Sequence, residues 1–272
     1  MNDQVAVHYS GGGGLLDAIS TGLREAGKDP DRLTATDLAS VDEFHIRGRK
    51  ATLELAASLD IAATDHVLDI GSGLGGPART LAEAYGCRVT GIDLTPDFCN
   101  AATVLSEWVG LSGRVDFRQG DATALPFDDA TFDAAMTLHV AMNVAAKDRM
   151  YAEARRVLKP RARFAIYDVL QGEGGAIHFP VPWAREPSIS HLATPDEMSA
   201  LLSGAGFTVL SVRDSTEESR IWFEAAAERL AQGSPAVTFQ TFMGNDFPAM
   251  ARNQVANLRE RRIRTVSYIC ES

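Results

Sequence analysis

Residues 67–76 read VLDIGSGLGG, and a change of structure lies within those ten residues. Val67, Leu68 and Ile70 form a short apolar run broken by one carboxylate, Asp69, a pattern that predicts a buried strand. Gly71, Gly73, Gly75 and Gly76 then lead into PARTLAEAY at 77–85, which has helical spacing. A strand entering a helix through a glycine-rich turn predicts a nucleotide crevice, because glycines permit positive φ and let a ligand approach the main chain. The spacing of Gly71, Gly73 and Gly76 also fits a nicotinamide dinucleotide. Asp69 separates the two readings: a carboxylate just before the turn repels a pyrophosphate and suits a cationic ligand.

The same alternation continues outward. CRVTGID at 87–93 predicts a second strand ending in Asp93, where a carboxylate can accept two ribose hydroxyls. A helix over 95–110 follows, with Thr95 as N-cap and Pro96 in its first turn. Strands are predicted at 114–121, 132–140 and 161–170, with a helix at 148–158 stopped by Pro160. Five strands joined by helices or short crossovers favour a parallel sheet covered on both faces. Residues 171–193 have no period. Thr194, Pro195 and Glu197 then form a capping-box start for another helix, 207–216 and 262–270 read as strands, and 221–232 and 246–261 read as helices. Ahead of the core, Leu53, Leu55 and Leu59 mark a helix at 51–59, and the weakly patterned stretch before it predicts a flexible lead-in. The expected organisation is an N-terminal lid with lead-in helices at 1–50 and a core at 51–272, with 171–193 and about 221–260 added on the substrate side.

The 272 residues carry 26 basic and 36 acidic side chains, a net charge of -10 that argues against nucleic acid as a partner. With 45% hydrophobic and 23% charged residues the composition is globular. Cys87, Cys99 and Cys270 match neither a disulfide framework nor a zinc ribbon, and the six histidines show no metal-binding spacing, so no metal is expected. MNDQVAVHYS at 1–10 has no export pattern and no window is apolar enough to span a bilayer, so the expectation is a cytoplasmic chain without a membrane partner.

Several segments together carry a family resemblance: VLDIGSGLGG at 67–76, VTGIDLTPDF at 89–98, QGDATALPFDDATFDAAMTLHV at 119–140 and RVLKP at 156–160. In these the chain resembles the class I S-adenosylmethionine-dependent methyltransferases, in the small-molecule branch that includes sarcosine and dimethylglycine, sterol, tocopherol and natural-product enzymes. The resemblance implies an α/β, Rossmann-like, mostly parallel seven-stranded sheet with helices on both faces, an N-terminal lid and an inserted substrate loop. It further implies that Asp69, Gly71, Ser72 and Gly73 line the methionine end of S-adenosylmethionine and that Asp93 holds the ribose. Leu94 would flank adenine, Asp121 and Ala122 would meet the adenine edge, and His139 with Val140 would lie near the sulfonium and the substrate. VDEFHIRG at 41–48 resembles the segment that closes over the cofactor, although FHIRG lacks the usual glycine-rich aromatic form. Arg161–Ala162 replaces the usual glycine pair after RVLKP, which predicts an altered turn before the fifth strand.

Methyl transfer needs alignment and a tolerant charge environment more than covalent machinery. His139 is a candidate proton acceptor, Tyr9 a candidate lid residue hinged on Gly11–Gly14, and His178 a candidate substrate contact in the irregular segment, beside Phe179, Trp183, Arg185 and His191. Phe239, Phe242, Met243 and Phe247 either roof an enlarged pocket or form a homodimer face. The expected activity is methyl transfer to nitrogen, oxygen or nucleophilic carbon of a small molecule. The alternatives are an NAD-dependent oxidoreductase and a non-catalytic binding protein on the same fold.

Overall fold

The computed structural model describes residues 4–5, 14–232 and 246–272. Seven strands form one sheet: β1 (His66–Ile70), β2 (Arg88–Asp93), β3 (Val115–Gln119), β4 (Phe132–Leu138), β5 (Leu158–Gln171), β6 (Thr208–Asp214) and β7 (Ile263–Glu271). Their order is β3-β2-β1-β4-β5-β7-β6. The first five pair in parallel, and β7 runs antiparallel to both neighbours, β5 and β6. The mostly parallel seven-stranded sheet expected from the sequence is therefore the one observed.

The central strands are apolar on both faces because helices cover both. Leu68 and Ile70 of β1 pack into one cluster with Phe132, Phe164 and Ile166, while Val67 faces another containing Val89, Met136 and Leu81. Side chains alternate along a strand, so Asp69 falls on the Val67 face. That face is covered by α3 (Gly48–Ala56) and α4 (Gly76–Tyr85). The remaining crossovers use α5 (Pro96–Trp108) and α6 (Lys147–Val157), and α7 (Pro195–Gly204) precedes β6. As the sequence predicts, Thr194 caps α7, with Glu197 N–H donating to its hydroxyl at 3.2 Å. Between β6 and β7 lie α8 (Thr216–Gln232) and α9 (Phe247–Arg259).

Two local expectations change. Residues 15–42 are not a flexible lead-in. They form α1 (Leu15–Glu25) and α2 (Ala35–Asp42), and Ile19, Leu23, Leu38 and Val41 are buried against Phe98 and Leu105 of α5. Each helix is too short to show a long apolar period; α2 is set by Thr34, whose N–H donates to Asp37 Oδ2 at 2.9 Å. The turn expected ahead of the fifth strand lies within β5: Arg161 takes φ 65 where the pairing with β4 slips between Phe132 and Ala134.

Candidate active site

The strand order reverses between β1 and β4, and their C-terminal ends open on a cavity of about 940 Å³. Gly71, Ser72, Gly73, Asp93, Leu94, Asp121, Ala122 and His139 all line it. The turn after β1 is tied to β2, because the N–H groups of Gly71 and Ser72 both donate to Ile92 O, at 2.8 and 3.0 Å. Gly73, at φ 51, would direct a Cβ into open space, leaving its backbone facing the cavity. A side chain on Gly76 would lie 2.3 Å from Asp42 O, so this last glycine serves the close packing of α2 on α4.

Asp93 accepts from Gly73 N–H at 2.8 Å through Oδ2 and from Thr95 N–H at 2.9 Å through Oδ1. Those bonds fix the plane of the carboxylate at the cavity wall. Asp121 is held in a turn by Thr123, whose N–H and hydroxyl each donate to Oδ1 at 2.8 Å. Asp69 is 1% exposed, and its Oδ2 has no hydrogen-bond partner, as is also true of the Ser72 hydroxyl. Burial, then the charges of Glu43 and Asp93, push the Asp69 carboxyl up to about 8. Glu43 sits at the end of α2, where it accepts the hydroxyls of Thr52 and Thr80, both at 2.6 Å, and burial raises its pKa too. Asp42 beside it pairs with the fully buried Arg79 of α4 at 2.7 Å, and burial moves Asp42 up to about 6. Arg79 also donates to Ala102 O and the Ser106 hydroxyl, joining α2, α4 and α5 behind the glycine turn. Nothing in the sequence spacing links positions 42 and 79, so this ion pair is visible only in the folded chain.

FHIRG at 44–48 has its own contacts. His45 Nε2 lies 3.0 Å from Gly48 O and 3.1 Å from the Thr52 hydroxyl, and burial lowers its pKa to about 4. Arg47, in the left-handed region, pairs with Glu54 at 2.5 Å. The His45 ring lies 6.0 Å from that of His139, which follows β4 at φ 55. His139 is anchored by its N–H on Tyr167 O at 2.8 Å, and its Nε2 is buried without a partner. Burial, and secondarily His45, hold its pKa well below the usual 6.5, so the imidazole is neutral.

Away from the glycine turn, the same cavity is walled by Trp183, Trp222, Phe223, Phe247 and Val255. Trp183 is buried and donates to the Ser190 hydroxyl at 2.9 Å. The structure does not bring His178 into this group. Its side chain is 46% exposed, lies 3.1 Å from Glu260 and does not line the cavity, because Asn257 of α9 holds its backbone from both sides. Arg185 pairs with Asp246 at 3.1 Å, and His191 lines a separate depression with Lys147. Tyr9, Gly11–Gly13, Phe239, Phe242 and Met243 lie outside the described residues. Among the described residues no group of three or more His, Cys, Asp or Glu could hold a metal ion, and no helix is long and apolar enough to cross a membrane.

A methyltransferase-domain family model matches residues 68–166. The methyltransferase GfsG of Streptomyces halstedii is 30% identical over 223 residues, 80% of this chain and 77% of that one. A sterol 24-C-methyltransferase, ERG6B of Gibberella zeae, is 37% identical over 116 residues, covering 43% of this chain but only 30% of the sterol enzyme. The fold also matches Haemonchus contortus phosphoethanolamine N-methyltransferase 2, solved in complex with S-adenosylmethionine, at a TM-score of 0.72 and 18% identity over 88% of this chain and 57% of that one. The GfsG match takes in most of both chains, and with it the chain belongs to the class I S-adenosylmethionine-dependent methyltransferases.

Proposed function

We propose that the chain transfers the methyl group of S-adenosylmethionine to a nucleophilic nitrogen, oxygen or carbon of a small, largely apolar molecule held in the distal half of the same cavity. The observation that carries this reading is the buried, unpartnered Oδ2 of Asp69, beside Glu43 and under a glycine turn open at Gly73. Buried carboxylates that repel one another favour a cationic ligand, and S-adenosylmethionine carries positive charge on its ammonium and its sulfonium. When bound, it supplies a methyl group already activated on that sulfur.

The chain's own residues then have separable tasks. Asp69 and the Ser72 hydroxyl face the cationic amino-acid end. Asp93, fixed in plane by its two backbone donors, keeps lone pairs for the ribose hydroxyls. Leu94, Asp121 and Ala122 bound the adenine side. His139, neutral and with a free Nε2, accepts the proton of a hydroxyl acceptor as methylation proceeds. An unprotonated amine or a nucleophilic carbon needs less from it. The aromatic walls exclude water and orient the acceptor toward the turn. Asp69 also disfavours a dinucleotide in the crevice, since a pyrophosphate would hold the carboxyl protonated and gain no counter-charge from it, whereas a cation draws the proton off and pairs with the carboxylate.

The test uses cofactor labelled in its methyl group, incubated with cell extracts fractionated by solvent. Label entering an organic-soluble small molecule, with an equivalent of S-adenosylhomocysteine formed, is the expected result. Label confined to protein or nucleic acid, or no consumption of cofactor with any fraction, would overturn the proposal.

A further inference from the structure

The inward face of α9 carries Met250, Gln254, Asn257 and Leu258, spaced at helical intervals and all buried. Two of these four are amides, and they are treated differently by their surroundings. Asn257 is satisfied at both ends: its Oδ1 accepts from His178 N–H at 2.9 Å and its Nδ2 donates to His178 O at 3.0 Å. Gln254 is 1% exposed, and its Oε1 has no hydrogen-bond partner. It lines the large cavity among Trp222, Phe223, Ala251 and Val255. A buried carbonyl oxygen left unpaired destabilises the empty protein, whereas an apolar side chain of similar length would pack there without that cost. The amide therefore serves something that enters the cavity.

We propose that Gln254 is a specificity-determining residue that reads a hydroxyl group on an otherwise apolar methyl acceptor. The inference rests on the distal half of the cavity being the acceptor site. A hydroxyl can donate to Oε1 and also accept from the amide N–H of the same side chain, so one group pairs the orphaned oxygen and engages both ends of the carboxamide. A cationic donor would be desolvated against Trp222 and Phe223 and repelled by Arg252 and Arg259, which also line the cavity, so the unpaired oxygen favours a neutral donor. Carried on an apolar body, that hydroxyl also fixes which end of the acceptor points away from the glycine turn.

The test compares decan-1-ol with 1-fluorodecane, flexible probes of nearly equal shape that differ in the hydroxyl. Binding is measured on protein saturated with S-adenosylhomocysteine, by isothermal titration calorimetry and by the shift in tryptophan emission as water is displaced from Trp183 and Trp222, which line the cavity. The wild-type chain should bind the alcohol about tenfold more tightly or better. Gln254→Leu should erase that preference by weakening the alcohol about tenfold while leaving the fluoroalkane within about twofold. The same substitution should raise the Tm of the ligand-free protein by about 2–4 °C, because it removes an unpaired buried polar group. Gln254→Met, closer in shape, provides a second variant should leucine disturb the helix. Equal affinity of the wild-type chain for both probes, failure of either variant to change the ratio, or no binding of either probe would overturn the proposal. Failure of S-adenosylhomocysteine itself to bind counts against the methyltransferase reading instead.

Discussion

Replacing Asp69 with Asn makes two quantities move in opposite directions. In the ligand-free chain the Asp69 carboxyl, 1% exposed and beside Glu43 and Asp93, titrates at about 8 instead of the unfolded 3.8. A carboxyl raised in this way favours the folded state below pH about 4, and that contribution is lost as pH rises toward 8. At about 1.4 kcal/mol per pH unit, holding this one group costs on the order of 4 kcal/mol by pH 7. Asp69→Asn should therefore stabilise the ligand-free protein, by an amount that grows between pH 5 and pH 8 and is small near pH 4. The other titrating groups at that site, Glu43, Asp93 and Asp42 with its partner Arg79, are present in both chains and cancel to first order. Cofactor binding should change the other way. Removing one partner of a buried charge pair costs about 3 kcal/mol or more, so affinity for S-adenosylmethionine should fall on the order of 100-fold. In the wild-type chain the affinity should rise from pH 6 to pH 8 as the proton on Asp69 is displaced, and in the variant that rise should be reduced. Thermal unfolding across pH and calorimetric titration of the cofactor read both effects. An Asn variant that binds within about threefold of wild type, or that loses stability relative to wild type as pH increases, would refute the reasoning.

Arg79→Leu leaves Asp42 buried without its counter-charge and should destabilise the chain by about 3–5 kcal/mol, a Tm loss on the order of 10 °C by calorimetry. Adding Asp42→Asn should recover part of that loss; no recovery would mean the ion pair is not what Arg79 contributes. Gly71→Ala places a Cβ 2.2 Å from Val140 Cγ2 at φ 77 and should impair folding, seen as a large drop in Tm. Gly73→Ala meets no atom within 4 Å, so it should cost only about 1–2 kcal/mol of backbone strain yet weaken S-adenosylhomocysteine binding sharply. Once a hydroxyl acceptor is found, His139→Ala should lower kcat by about 10²–10⁴. The wild-type kcat at saturating cofactor should show no break near pH 6.5, because His139 remains neutral there.

The turn between β1 and α4 was legible because glycine and a strand-end carboxylate mark local geometry, and local geometry is written in adjacent residues. The same holds for Asp93 and for the Thr194–Glu197 cap. Long-range partners were not legible. Asp42 reaches Arg79 only because α2 packs on the N-terminus of α4, and the sequence of α2 gives no hint of what covers it. Residues 15–42 looked like a loose leader because their apolar side chains are divided between two short helices, neither long enough to show a period. His178 was a reasonable candidate by position, yet a segment without repeating structure does not reveal where its side chains point, and Asn257 turns this one outward. Gln254 was hidden for a related reason: one amide among the three of this helix, with Asn253 and Asn257, reads as surface until the cavity behind it is seen.

The central claim, that the crevice between β1 and β4 holds a sulfonium cofactor, is tested most directly by calorimetric titration of the purified chain with S-adenosylmethionine and, separately, with NAD. Micromolar binding of S-adenosylmethionine at a single site, abolished by Asp93→Ala, with no heat from NAD, is the predicted result. Micromolar binding of NAD with none of S-adenosylmethionine would contradict it.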